Sequence, residues 1–323
     1  MKMDVLIVPN DTLVLGRGPR AATRQATRVD GRFPSDAFLM MLRAAYESCG
    51  AKAPASMKVL TQFAAMGVDD RLEPLYPVPD DLVVELGKKD AVWVQPAYLE
   101  AVSSDAVLHD QGQLRLLVPS SRNMDARPFD AFLTRKGVRV WAERKAQRLT
   151  EGEHYVPFSR VFEVETRVED GEQVLHMSLK SGMGLLVSVE LPESVAPLAF
   201  PLTVAGSSAG RAVRLLGAQF PLPSLDTKPR KRWRVCLMAH DHDTSDGWPS
   251  WVDPETLTTR QPLPEGGKVV AIARRLGESD VGAPWLGASG PAHAVTPVGT
   301  TLFIEYEEPV QIEQTAQILA GGN

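Results

Sequence analysis

Glycine and proline cut this 323-residue chain into short pieces: there are 25 of each, and the apolar runs between them are only a few residues long. Proline removes a helix N–H, and glycine in a helix interior gives up backbone entropy, so long helices are disfavoured. Short strands joined by turns tolerate both residues, and the pattern predicts a strand-rich α+β protein rather than a bundle or a doubly wound sheet. At roughly 100–200 residues per domain the length predicts two domains. The first apolar run, Val5–Val8, is bounded by Asp4 and Pro9 and is too short for the core of a signal peptide. No run reaches the ~18 residues that span a bilayer. The expectation is therefore a cytoplasmic protein with no membrane partner. Cys49 and Cys236 stand far apart and match no metal-ligand spacing, which reads as two free thiols in a reducing compartment.

Several elements can be placed from pattern. Met3–Val8 reads as a buried strand, extended after Pro9 by Thr12–Leu15. Pro34–Gly50 reads as a helix: Ser35 or Asp36 caps it, Phe38, Leu39, Leu42 and Tyr46 form an apolar face, and Gly50 stops it. The segment 51–73 is ambiguous, and 137–149 alternates weakly. Strands are predicted at His154–Arg167 and Gln173–Leu179, joined by a hairpin turn at Asp170-Gly171, with a third at Gly184–Leu191. Leu202–Leu216 places a Gly/Ser-rich turn between two apolar strands. Trp233–Met238, Lys268–Arg274 and Thr300–Tyr306 read as strands, with Asp243–Gly267 a long loop between the first two.

Charge narrows the function. With 35 Lys+Arg against 40 Asp+Glu the net charge is −5, which argues against a protein that coats DNA but not against a local RNA-binding patch. Two stretches are basic. Gly16–Phe33 carries Arg17, Arg20, Arg24, Arg28 and Arg32 against the single acid Asp30. As a helix, Arg20–Arg28 would line one face; as a loop it would form a basic arm. Arginine presents a planar fork that suits phosphate oxygens. Lys228–Arg234 has five cations in seven positions, among them Lys231 and Arg232, and Trp233 lies inside it. Either stretch also fits a plain solvated surface.

Catalytic signatures are sparse. There is no nucleophile elbow, P-loop, dinucleotide fingerprint or H-E-x-x-H. His240, Asp241, His242, Asp243 and Asp246 form a dense set of potential metal ligands, and a metal-dependent hydrolase built on this cluster is one alternative. It would need further ligands from elsewhere, and none stands in a recognisable motif, so no metal is expected. In AGSSAGR, Gly206, Ser207, Ser208 and Gly210 lead to Arg211. Such a loop has few Cβ atoms, and its backbone can approach a sugar-phosphate chain closely.

The order of landmarks resembles the RAMP superfamily of CRISPR proteins, and most closely the group 5 RAMP subunit of type III-B (Cmr) effector complexes. That family opens with a strand and a G-R-P-F-like turn, followed by F-P and G-A-L-R at a helix start; here TLVLGRGP precedes RFPSDAFLMMLRAAY. Its L-x-x-P-x-P-x-D-L segment is similar to PLYPVPDDLVV, and its E-G-x-L-Y strand to EGEHYVPF at Glu151–Phe158. A glycine-rich loop ending in Gly-Arg is similar to AGSSAGR, and L-x-L-x-T-P-A-x-F-x-x-G-W-x-P to VCLMAHDHDTSDGWPS. A final V-P-A-G-S-V-Y-F strand is similar to AVTPVGTTLFIE. The chain departs from the pattern where Phe38–Met41 replace G-A-L, where the paired glycines are split, and where Ala239–His242 replace T-P-A.

This resemblance implies two ferredoxin-like (RRM-like) units with inserted loops and β-hairpins, expected at 1–195 and 196–323. It implies a non-catalytic subunit without cofactor that grips the 5′ handle of the guide crRNA. Such a subunit bridges the large polymerase/nuclease subunit and a backbone RAMP subunit in a hetero-oligomeric ribonucleoprotein of antiviral defence. The expected RNA contacts are Arg17, Arg20, Arg24, Arg28, Arg32, Gly206, Ser207, Ser208, Gly210, Arg211, Lys231 and Arg232, with Trp233, Phe33 or Trp248 as stacking groups or core. A RAMP endoribonuclease that processes precursor RNA is a second alternative. It would use a histidine near the first helix as acid or base, and the first histidine after Met1 is His109.

Overall fold

The computed structural model describes residues 1–9, 13–19, 35–54, 56–68, 71–85, 92–93, 126–128, 131–143, 148–169, 172–205, 212–219, 222–226, 228–239, 241, 248–273, 296, 298–315 and 317–322. Its elements run, in chain order, β1 Lys2–Pro9, β2 Leu13–Pro19, α1 Ser35–Ser48, β3 Lys58–Val68, β4 Arg71–Pro77, β5 Val83–Glu85, β6 Val92–Trp93, β7 Ala126–Pro128, β8 Ala131–Leu133, α2 Arg135–Glu143 and β9 Arg148–Leu149. They continue with β10 Tyr155–Pro157, α3 Phe158–Val161, β11 Phe162–Glu169, β12 Glu172–Leu179, β13 Met183–Glu190, β14 Leu202–Ala205, β15 Ala212–Ala218, β16 Arg230–Leu237, β17 Lys268–Ala273, β18 Thr301–Val310 and β19 Ile318–Gly322. The strand-dominated α+β class expected from the sequence is what the described residues form.

The chain divides into two compact units, each drawing on separated stretches. The first takes described residues of Met1–Tyr76 and Val156–Pro221; the second takes those of Pro77–Tyr155, Leu222–Gly282 and Pro291–Asn323. A boundary after 195 would part β15 from β1, yet the two strands pair over six residues, Asp4↔Ala218 to Pro9↔Val213.

In the first unit an antiparallel sheet has the order β4-β3-β13-β1-β15-β14. Met3, Val5 and Ile7 on β1, Leu185, Val187 and Val189 on β13, and Val213 and Leu215 on β15 share one face, and all are buried. Helix α1 packs on β14 and turns Phe38, Met41, Leu42 and Tyr46 inward. The expected stop at Gly50 is present. Gly50 adopts φ +70°, its N–H bonds the Glu47 carbonyl, and the Ala51 N–H bonds that of Tyr46. This Schellman pattern needs a left-handed residue, which glycine supplies without steric cost. The ambiguous stretch 51–73 holds β3, a strand between β4 and β13. Buried Thr61, Phe63, Ala64 and Ala65 on it follow no simple alternation, because both of its faces are covered.

Strands β11, β12 and β2 form a separate sheet in that order. The hairpin expected at 154–179 is there, as β11 pairs with β12 over eight residues from Phe162↔Leu179 to Glu169↔Glu172. The single predicted strand His154–Arg167 is instead broken by the one-turn helix α3, and the rings of Phe158 and Phe162 pack across that turn at 5.0 Å. The turn residues Asp170 and Gly171 lie outside the described residues.

In the second unit β16–β19 form an antiparallel sheet of order β17-β18-β16-β19, and β5, β6, β7 and β9 form another of order β7-β5-β6-β9. Trp233, Val235 and Leu237 point from β16 into a core shared with Trp251, Leu257, Leu263, Leu302 and Ile304. Much of the loop predicted at 243–267 is therefore core-packed coil. The weakly alternating segment 137–149 opens as helix α2, a second departure from pattern. Thr134 caps it, its Oγ1 accepting the Gly137 N–H at 3.2 Å and donating to the Glu153 carbonyl at 2.6 Å. Glycine is a weak helix former, yet Gly137 is required here: a Cβ on it would lie 2.0 Å from the His154 carbonyl oxygen.

Candidate nucleic-acid interface

Strand β2 carries the first arginine of the basic arm. Its register sets Gly16 opposite Met177, Arg17 opposite His176 and Gly18 opposite Leu175. Arg20, Arg24, Arg28 and Arg32 lie outside the described residues, as does Phe33. So do Gly206, Ser207, Ser208, Gly210 and Arg211, but the strands that flank that loop are described. Ala205 pairs with Ala212 and Val204 with Val213, while Val213 also pairs with Pro9 on β1. Three neighbouring strand ends thus meet at one end of the first sheet. One precedes β2, which carries Arg17 in the other sheet, and the other two flank the Gly/Ser loop in sequence. Arg214, one residue beyond Val213, is exposed and stands between Val8 and Thr203.

The second basic stretch resolves residue by residue. Arg230, Lys231 and Arg232 open β16, and Lys231 and Arg232 are exposed. Arg232 Nε lies 3.3 Å from Glu305 on the neighbouring strand, and Arg230 lies 2.8 Å from Asp226. The Lys228 N–H bonded to Asp226, with the charges of Lys228 and Arg230, holds that carboxyl below the usual carboxylate range. Charge at this corner is therefore shared with acids from the same unit. Trp233 is fully buried, and its Nε1 donates to the Arg230 and Val310 carbonyls at 3.1 Å, so it is core rather than a stacking platform. Trp248 is partly buried against the same core.

Arg234 is the residue that sequence reasoning misplaced within this run. Alternation along β16 puts it on the face opposite Trp233, and helix α2 covers that face: Gly321, its partner on β19, would with a Cβ meet Ala142 Cα at 3.0 Å. The guanidinium is wholly buried. It bonds Asp81 Oδ2 at 3.0 Å and the Trp141 carbonyl, and it lies 4.7 Å from the Trp141 ring centroid. Asp81 Oδ1 accepts the Trp141 indole N–H at 2.8 Å. Cys236 sits on the same face, and burial followed by the Asp81 and Asp80 charges pushes its thiol well up. The one sequence signal for this cluster was the pair Asp80-Asp81 between prolines and valines, acids in an otherwise apolar segment.

From the histidine-rich segment only Asp241 is described, and its Oδ2 accepts both the N–H and the Oγ–H of Ser250, at 2.6 and 2.7 Å. Among the described residues no three His, Cys, Asp or Glu side chains are grouped so as to hold a metal ion. No described helix is long and apolar enough to cross a membrane.

No protein-family profile matches the sequence, and no curated protein matches it. Several solved chains are similar in part, among them the following two. One is a chain of the type III-B Cmr-beta complex bound to cognate target RNA, at 8% identity and TM-score 0.35, covering 95% of this chain and 86% of that one. The other is a chain of the same complex bound to cognate target RNA and AMPPnP, at 9% identity, TM-score 0.33 and the same coverage.

Proposed function

We propose that this chain is a non-catalytic RNA-gripping and scaffolding subunit of a type III CRISPR interference complex, a group 5 RAMP protein that holds the 5′ handle of the guide RNA and bridges the large subunit to the backbone. The observation that carries the reading is the β1–β15 register. It sets Pro9, from which the chain runs toward Arg17–Arg32, beside Val213, which closely follows the AGSSAGR loop. Strand β1, which precedes the arginine-bearing stretch in sequence, thus ends beside the strand that follows the glycine loop, and arginines for phosphates with a glycine loop for close approach are what a sequence-tolerant grip on single-stranded RNA requires. The ordered landmarks described above support the same assignment.

Strand order supports two ferredoxin-like units. In β3-β13-β1-β15 and in β17-β18-β16-β19 alike, the first strand in sequence lies between the third and the fourth, and the second edges the third. That is the order of the βαββαβ unit. In the first unit α1 joins the first two of these strands, and the link between β13 and β15 is extended where its described residues run.

The test is guide-RNA retention by the assembled complex. Changing Arg20, Arg24 and Arg28 together to Ala is expected to weaken retention and to lower the log–log salt slope by about 2, at ~0.7 per phosphate contact on a single strand. Unchanged retention defeats the site. Turnover of RNA by the isolated chain that disappears with chelator defeats the non-catalytic reading in favour of metal-dependent hydrolysis. Cleavage of precursor RNA without metal would favour the processing nuclease.

A further inference from the structure

The hairpin β11–β12 leaves the body of the first unit in a graded way. At its base Phe162 and Leu179 are opposite each other and buried, and the Lys180 N–H bonds the Val161 carbonyl. Outward along β11, Val164 is 42% exposed and Val168 71%. At ~3.4 Å per residue the strand carries Val168 about 20 Å beyond Phe162. Among the described strands, β12 is paired on both sides, by β11 and β2, and β11 ends the sheet. A strand at the edge of a sheet presents backbone N–H and C=O groups along which another chain can pair.

Its chemistry selects among visitors. Phe162–Leu179 carries five acids, Glu163, Glu165, Glu169, Asp170 and Glu172, against one arginine, Arg167, a net −4. Glu163 and Glu165 are exposed and share the face opposite Val164 and Val168. RNA is repelled by this charge. A second copy pairing β11 to β11 about Val164 would set Glu163 against Glu165, which is destabilising.

We propose that the outer edge of β11 is a docking edge for an extended basic segment of a partner protein, which adds to the sheet as a further strand. The fitting segment alternates apolar and basic residues, its apolar side chains meeting Val164 and Val168 and its Lys or Arg side chains meeting Glu163 and Glu165. Main-chain bonds supply affinity in this mode and the alternating side chains supply selection. This rests on the hairpin alone, so it and the RNA reading can fail separately.

The probe is the capped octapeptide (Lys-Val)4, titrated into the full chain by fluorescence anisotropy, with amide exchange followed at residues 162–169. Expected are saturable binding, slowed exchange along β11, and at least a tenfold loss of affinity in Glu163→Lys/Glu165→Lys and in Val168→Asp. The second variant sits at a mostly exposed position and keeps the wild-type urea midpoint, so a folding defect cannot mimic the loss. Equal binding of (Glu-Val)4, unchanged exchange in β11, or full affinity in Val168→Asp overturns the proposal. Protection of β11 that grows with protein concentration alone overturns it in favour of self-pairing. An oligouridylate whose binding fails in the same variants overturns it in favour of RNA.

Discussion

Arg234 and Asp81 form an ion pair of 3.0 Å in the interior of the second unit, with side chains 0% and 1% exposed. The pair is separated by 153 residues in sequence and locks the proline-rich segment before β5 to the central strand β16. Removing one partner leaves a buried charge uncompensated. Asp81→Asn or Arg234→Met is expected to cost about 3–5 kcal/mol, whereas an apolar replacement of both is expected to cost far less than the sum of the two single changes. Urea unfolding of the four-member cycle checks this, and additive losses would show that the two residues act independently.

Gly137→Ala tests geometry against propensity. Alanine is favoured over glycine in a helix interior by about 1 kcal/mol, which alone predicts stabilisation. The new Cβ would lie 2.0 Å from a backbone carbonyl that itself accepts the Thr134 N–H, so the substitution is expected to destabilise. A lower thermal midpoint than wild type is the expected outcome, and a higher one would mean the α2–His154 contact is looser than described.

The two thiols should be sharply distinguishable. Cys49 is exposed at the end of α1, while Cys236 is buried and its thiol is pushed up by burial and by the neighbouring Asp81 and Asp80 charges. Thiolate is the reactive form. Mass spectrometry after iodoacetamide treatment should find one adduct, on Cys49, in the native protein and two in denaturant. Native labelling of Cys236 would contradict the packing of the β16 face beneath α2.

Acid should loosen the Asp253 turn. The Thr256 N–H, then the Glu255 N–H and the Arg260 charge, hold the Asp253 carboxyl below its ordinary value. A carboxyl lowered in the folded state adds stability above its unfolded pKa and loses it as pH falls through the folded one. The stability difference between wild type and Asp253→Asn should therefore be constant near neutrality and shrink only below the ordinary aspartate range of about 4. Unfolding midpoints of both proteins across that range check it, and a difference that grows on acidification would reverse the sign.

Much of the architecture was legible because it follows local rules. Helix α1 announced its stop at Gly50, and the apolar runs of β13 and β18 marked their strands. The misses have a common cause: tertiary contact overrode local preference. Gly137 sits in a helix because a carbonyl presses on it, and β3 loses its alternation because both its faces are covered. Arg234 looked like a surface cation because charge in sequence carries no record of which face of its strand a helix covers. For the candidate RNA site, residue types were legible, but the pairing of Pro9 with Val213, which joins the first strand to one far along the chain, was not.

The repeated strand order has a consequence for how such a chain can change over time. The two sheets share one weave, yet the connection from first to second strand runs from Pro9 to Lys58 in one and from Leu237 to Lys268 in the other. Lengthening a connection costs only logarithmically in closure entropy. Descendants can therefore grow or shed whole loops while every rung of the ladders stays in step. Kinship among them would survive in backbone weave long after it had faded from the letters.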